Sequence, residues 1–325
     1  MDIQDGHGMA PREATLLGIP LDAGTHVPGA RMGPDALRIA GLTGLLRELG
    51  HAVVDEGNMA TPAPLPVTLA PEDAARCANL EEVAGWTRAI HDRAYSIASA
   101  GRLPIFLGGD HALSMGSVSG IARHCREAGR ELAVLWIDAH ADFNTPATTP
   151  SRNMHGMSLA FLTGEPRLQP LLPGRPLAPL APGAVSIIGL RSIDTDERRN
   201  VQARGVRCID MRAIDEQGVA GPMRAMIEEW QARDVHLHVS LDVDMLDPSL
   251  APGVGTTVPG GATYREAHLI MEMLCDSGLL GSLDVVELNP FLDERGRSAR
   301  LLVELVASLF GRTVLDRPPV RMRAF

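Results

Sequence analysis

Leu132-Ala133-Val134-Leu135-Trp136-Ile137-Asp138-Ala139-His140-Ala141-Asp142 is a run of apolar residues that breaks into alternating carboxylates and an imidazole. The apolar half reads as a strand covered on both faces, as in a parallel sheet between helical layers. The polar half is then the C-terminal end of that strand, where open α/β sheets bind ligands. Residues two apart in an extended strand share a face at a spacing of about 6.6 Å, so Asp138, His140 and Asp142 point one way. If the chain stayed extended, Asp138 and Asp142 would sit about 13 Å apart. That is too far for one metal with bonds of about 2 Å. The chain is therefore expected to leave the strand near His140, and Asn144-Thr145-Pro146 supplies turn chemistry just beyond.

The same pattern recurs elsewhere. Gly108-Gly109-Asp110-His111 follows Leu103–Leu107, with two glycines for a sharp exit. Ser240-Leu241-Asp242-Val243-Asp244 ends Val235–Asp242, and Asp247-Pro248-Ser249 closes it. Glu287-Leu288-Asn289-Pro290 ends Ser282–Glu287. Further strands are expected at Thr15–Ile19, Ala52–Asp55, Val185–Leu190 and Val206–Ile209. Helical spacing lies between them, at Pro34–Leu49, Pro71–Ser99 (one long helix or a pair), Leu113–Cys125, Asp194–Ala203, Gly221–Gln231, Thr263–Asp276 and Arg297–Phe310. Alternating β and α elements predict a three-layer α/β/α sandwich around a mostly parallel sheet of about eight strands. The Pro-rich stretches Thr61–Pro71 and Pro166–Pro182 read as surface excursions within one domain spanning residues 1–325. Residues 1–12 and 312–325 read as peripheral tails.

The chain has 325 residues, 45% of them hydrophobic, enough for a sizeable core. A net charge of −10 argues against nucleic acid as a partner, because phosphate binding needs a basic surface, and suits a cationic substrate. The four cysteines are scattered with no CxxC pair, which excludes zinc ribbons and thioredoxin-type chemistry and fits a reducing cytoplasm. There is no leader-like start and no run of 18 apolar residues. The expectation is a cytoplasmic protein without a membrane partner.

Carboxylates and imidazoles at the ends of buried strands are costly unless compensated. Four aspartates and two histidines over-supply one metal ion and suit two that share carboxylates, whose charge the four aspartates balance. Hard oxygen donors with some imidazole suit Mn²⁺, and also Fe²⁺, Co²⁺ or Zn²⁺. A metal pair about 3.5–4 Å apart can activate a water and orient an electrophile.

At these residues the chain resembles the ureohydrolase family, specifically its arginase members, from about Leu17 to Phe310. The motifs are Gly108–His111, Asp138–Asp142 and Ser240–Pro248, with an opening at Gly18-Ile19-Pro20, Gly33-Pro34 and Leu37-Arg38. The resemblance implies an arginase-like fold and one metal held by His111, Asp138, Asp142 and Asp242. The second would be held by His140, Asp138, Asp242 and Asp244, with Asp138 and Asp242 bridging. It implies two Mn²⁺ per subunit and hydrolysis of a guanidino group to urea and an amine by a metal-bridging hydroxide. Asp142 would take and pass on the proton, Glu287 would bind the guanidinium, and His155 would serve as proton shuttle.

The loop from Asn144 to Asn153 packs amides and hydroxyls beside the metal run, donors suited to a carboxylate. In arginases the residues matching Asn144, Thr149 and Ser151 hold the substrate α-carboxylate, with Asn153 beside them. Asp194 matches the acceptor of the α-ammonium, and Glu197 and Thr256 join the substrate-binding set. L-Arginine, giving L-ornithine and urea, is the expected substrate; an agmatinase, or a ureohydrolase acting on another guanidino acid, is the alternative. A homo-oligomer, trimer or hexamer, is also implied. Ser192, Met245 and Arg152 depart from residues common in the family. His238 shares strand parity with Ser240 and Asp242 but lies about 13 Å short of Asp242, a place for a supporting or core histidine. The remaining histidines read as structural or solvated.

Overall fold

Continuous burial on both faces produces the strands. A computed structural model describes residues 11–181 and 183–315; most of the two expected tails, residues 1–10 and 316–325, lies outside the described residues. The strands are β1 (Glu13–Ile19), β2 (Ala52–Asn58), β3 (Leu103–Gly108), β4 (Leu132–Ile137), β5 (Val185–Leu190), β6 (Arg207–Asp210), β7 (His236–Asp242) and β8 (Leu280–Val286). They form one sheet of eight strands in the order β2-β1-β3-β8-β7-β4-β5-β6. Every pairing is parallel, where the sequence reading expected a mostly parallel sheet. Each residue of β3, β4, β5, β7 and β8 is buried.

The helices are α1 (Gly33–Ile39), α2 (Leu42–Glu48), α3 (Pro71–Ala74), α4 (Leu80–Ser99), α5 (Leu113–Glu127), α6 (Ser158–Leu162), α7 (Thr195–Ala203), α8 (Met211–Gln217), α9 (Ala220–Ala232), α10 (Tyr264–Ser277) and α11 (Arg297–Leu309). The single helix expected over Pro34–Leu49 is two, because Gly41 takes φ +100° between them. Pro71–Ser99 is the pair α3 and α4, divided where Asn79 adopts φ +51°.

Strand parity builds the three layers. Ala133, Leu135 and Ile137 of β4 face a core shared with α1, α2, α8, α9, α10 and α11. Leu132, Val134 and Trp136 face the other core, with α4, α5, α6 and α7. Both Pro-rich stretches pack onto this body. Leu65 donates its N–H to Glu81 on α4, and Gly85 leaves room for the Ala63 carbonyl. Leu168, Leu171, Leu172 and Leu180 are buried.

The strand order positions the site. The polar runs leave β3, β8, β7 and β4, which are four consecutive strands at the centre of the sheet. Runs that lie far apart in sequence therefore end side by side at one edge.

Candidate metal centre and active-site cleft

Asp138 makes the last ladder contact of β4, its N–H donating to the Ile188 carbonyl at 3.0 Å. The chain then leaves the strand, as the spacing required. Asp142 sits at φ +48°, a left-handed conformation that turns the run back on itself. Gly189 makes room for this exit: at φ +99°, a Cβ on it would lie 3.0 Å from the Asp138 carbonyl oxygen.

Three carboxylate oxygens converge on one imidazole nitrogen. His111 Nδ1 lies 3.1 Å from Asp138 Oδ2, 3.1 Å from Asp142 Oδ2 and 3.0 Å from Asp242 Oδ2. A second group forms around His140, whose Nδ1 is 2.9 Å from Asp244 Oδ2 and 3.5 Å from Asp138 Oδ1. His111, Asp138 and Asp142 form one cluster of metal-ligating geometry, and Asp138, His140 and Asp244 the other. Asp138 belongs to both, one oxygen to each. Asp242 joins the first through His111, while its Oδ1 accepts the Asp244 N–H at 2.8 Å.

The donor set fits a pair of divalent cations. His111 Nδ1 is buried with no hydrogen-bond partner of good geometry, though three carboxylate oxygens surround it. Burial and then neighbouring carboxylates raise the carboxyls of Asp142, Asp242 and Asp244, the last to about 6. Burial opposes the charged form of His140, yet hydrogen bonds to Asp138 and Asp244 push it to about 12. Left to protons alone, the site gathers positive charge onto its imidazoles. Dications supply that charge while leaving both Nδ1 atoms free as donors.

Behind the ligands lies a buried polar row. Trp136, Ser240 and Asp284 pair across β4, β7 and β8. Trp136 stacks on the His111 ring at 3.9 Å, and its Nε1–H donates to Asp138 Oδ2 at 2.9 Å. His111 Nε2 meets Ser240 Oγ at 2.8 Å. Ser114 and Ser117 on α5 each donate to Asp284 Oδ2 at 2.7 Å. His238, one row back, sits 2.8 Å from Ser282 Oγ and 3.2 Å from Asp284. A metal-ligating histidine usually gives its other ring N–H to such a partner, which fixes tautomer and orientation.

Glu287 takes φ +64° at the end of β8 and its Oε1 accepts the His111 N–H at 2.7 Å. The same oxygen lies 2.7 Å from His155 Nδ1. His155 begins a 3-10 turn and is held by its own N–H to the Gly24 carbonyl. Burial would lower its pKa, but the charge and hydrogen bond of Glu287, with Asp142 and Asp110, raise it to about 9.

These groups line a cleft of about 110 Å³. His140, Asp142, Asp242, Asp244, His155 and Glu287 line it, together with Asn144, Asp194, Glu197, Thr256, Gly156, Ser192 and Ile193. Asn144 Nδ2 donates to Asp194 Oδ2 at 3.2 Å. Asp194 and Glu197 also form the capping box of α7, so helix cap and cleft wall are the same residues. Thr256 donates to Asp244 Oδ2 at 3.2 Å. Thr149, Ser151 and Asn153 lie outside the cleft lining. Thr149 is buried and its Oγ1 accepts the Arg152 N–H, while Ser151 Oγ accepts the Asn153 N–H, so both hydroxyls shape the loop. Asn153 Oδ1 is buried without a partner.

Sequence reasoning missed Arg191. Among the described residues its guanidinium donates only to backbone carbonyls: Asp244 at 2.6 Å, Val258 at 2.7 Å, Leu246 at 3.3 Å, Gly189 at 3.3 Å and Met245 at 3.4 Å. It thereby ties the end of β5 to the metal run after β7 and to the loop that carries Thr256. No local pattern marks such a role. Trp136 and Ser240 did carry a signal, since each lies two residues before a ligand on the same strand face.

The profile described as the Arginase family matches residues 12–311. An arginase from Agrobacterium fabrum is 54% identical over 302 residues, covering 93% of this chain and 92% of that protein. The solved arginase of Bacillus caldovelox superposes with a TM-score of 0.85 at 37% identity, covering 94% of this chain and 100% of that one. The arginase of Entamoeba histolytica, solved in complex with L-ornithine, gives a TM-score of 0.81 at 28% identity, covering 94% and 100%.

Proposed function

The chain belongs to the arginase family of metal-dependent hydrolases, and from that premise we propose that it hydrolyses L-arginine to L-ornithine and urea with two Mn²⁺ ions. The observation that carries this reading is the pair of clusters of metal-ligating geometry sharing Asp138, with Asp142 of one, His140 and Asp244 of the other, and Glu287 lining one cleft. His111, Asp138, Asp142 and Asp242 would hold one ion, and His140, Asp138, Asp242 and Asp244 the other. When bound, the ions supply Lewis-acid activation of a water, giving a nucleophile at neutral pH.

The protein's own groups do the rest. Glu287, buried and anionic, accepts N–H bonds from the planar guanidinium through charge-assisted hydrogen bonds. Asp194 receives the α-ammonium, with Glu197 and Thr256 lining the same cleft. Asn144, with Thr149, Ser151 and Asn153 in its loop, receives the α-carboxylate. The L-ornithine bound in the Entamoeba histolytica arginase carries the same amino-acid end. Asp142 takes a proton from the attacking water and passes it to the departing amine as the C–N bond breaks. His155, with Nδ1 on Glu287, exchanges protons at Nε2. The same reading has the enzyme act in the cytoplasm as a homo-oligomer, trimer or hexamer, which sedimentation equilibrium would measure.

The deciding experiment strips the protein with chelator, restores Mn²⁺, and assays urea from L-arginine, agmatine and 4-guanidinobutyrate. Arginine should be turned over fastest and only after metal is restored. Faster turnover of agmatine would overturn the substrate assignment, and activity without metal would overturn the mechanism.

A further inference from the structure

The N-terminal edge of the sheet, opposite the candidate metal ligands, holds a solvent-open cavity of about 420 Å³. It lies where β1, β3, β7 and β8 begin. The seven residues of β7 separate it from the metal run by about 20 Å. Arg12, Arg102, Arg130, His124 and His236 line it, with Glu13 and Asp234 as the acids.

Arg102 is matched, its Nε lying 2.9 Å from Glu13. Arg12 and Arg130 have no carboxylate partner among the described residues. Arg12 gives one N–H to the Leu280 carbonyl and is half-buried; the Arg130 side chain is exposed and makes no hydrogen bond among the described residues. His236 forms a wall so close to Gly281 that a Cβ there would meet its ring at 2.4 Å. Helix ends explain part of this charge, since α4 and α5 finish here and their carbonyl ends attract cations. That accounts for Arg102, His124 and Arg130 one at a time. It does not account for Arg12, brought in from the β1 side beside Arg130.

We propose that this cavity is a second binding site, for a compact oxyanion such as the phosphate, sulfate or carboxylate group of a small metabolite, with Arg12 and Arg130 as its charged donors. An anion here would accept charge-assisted hydrogen bonds from two guanidiniums that line one cavity and lack a carboxylate partner among the described residues. His124 and His236 add neutral ring N–H donors. The field inside the cavity is consistent with this. Burial and then Arg130 lower Arg12 below the ordinary arginine range, and the same pair of causes lowers His124. Burial, then His238, Arg130 and further basic neighbours bring His236 to about 3.

The test uses metal-loaded protein freed of unbound ions and titrated with sodium sulfate, with sodium chloride holding the ionic strength constant. Calorimetric heat and melting temperature are followed together. Binding should saturate, and R130Q should weaken it at least tenfold. R233Q, which removes a surface arginine already paired with Glu131 and Glu229, should leave it unchanged. R130Q should fold normally, because that side chain is exposed and makes no hydrogen bond or ion pair among the described residues, and should melt no lower than the parent without sulfate. A response linear in sulfate, an equal response to chloride, or saturation of R130Q at the parental concentration would each overturn the site.

Discussion

At the scale of single residues, the site depends on what stands behind the ligands. His111 can ligate through Nδ1 only if its proton sits on Nε2, and Ser240 Oγ at 2.8 Å is the acceptor that keeps it there. Ser240→Ala removes that acceptor inside a fully buried row and leaves the fold's apolar packing intact. Mn²⁺ affinity should fall by about 10- to 100-fold, read by calorimetric titration of the stripped protein. Unchanged affinity would show that stacking on Trp136 alone orients the ring. His155 plays a different part: it touches Glu287, and no ligand side chain lies within hydrogen-bonding reach of its ring. His155→Asn should therefore keep two Mn²⁺ per chain by metal analysis while turnover drops by about a hundredfold, the size of a lost proton-transfer group.

At the scale of elements, Arg191 joins three segments that no sequence pattern connects. Replacing it with Met strands several carbonyls, the Asp244 carbonyl among them. Hydrogen bonds of a charged donor contribute about 1.5–3 kcal/mol, so Arg191→Met should lower stability by roughly 2 kcal/mol or more in urea melts. It should also lower Mn²⁺ content toward one per chain, since Asp244 serves the second cluster. Arg191→Lys should recover only part, because a single ammonium cannot span the fork. Such roles were illegible in the sequence for a physical reason. Ligand runs announce themselves because charge at the end of a buried apolar strand costs free energy unless a bound ion or partner compensates it. The meeting of Trp136, Ser240 and Asp284 depends on β7 lying between β4 and β8, which the alternation of elements does not fix. The strands were legible because both faces of the sheet are covered, so their apolar runs are continuous. The breaks at Gly41 and Asn79 were less so, since helical spacing continues across both.

At the scale of the whole molecule, burial holds His91 and His236 in their neutral form, and this bears on how the protein meets acid. Burial lowers His91 first, with Asp92 opposing and Arg123 and Arg175 assisting, to about 4; His236 stands at about 3. An unfolded histidine titrates near 6.5. Between that value and the folded one, the unfolded chain binds the extra proton. The contribution of His91 is therefore fully present above about pH 6.5, and it is lost as pH falls toward 4, a difference of roughly 3 kcal/mol. The carboxyls of Asp110 and Glu197, each pushed up to about 7 chiefly by burial, act with the opposite sign, because their folded forms take up protons first. The wild-type curve alone sums these effects, so a paired measurement isolates the histidine. His91→Gln keeps a polar group within reach of Ser119, the present partner of His91 Nδ1 at 2.9 Å, and cannot titrate. Urea midpoints of parent and variant, taken from pH 7.5 down to pH 4.5, should converge as the pH drops, with the parent losing stability faster. Parallel curves across that range would mean that His91 carries the same charge folded and unfolded.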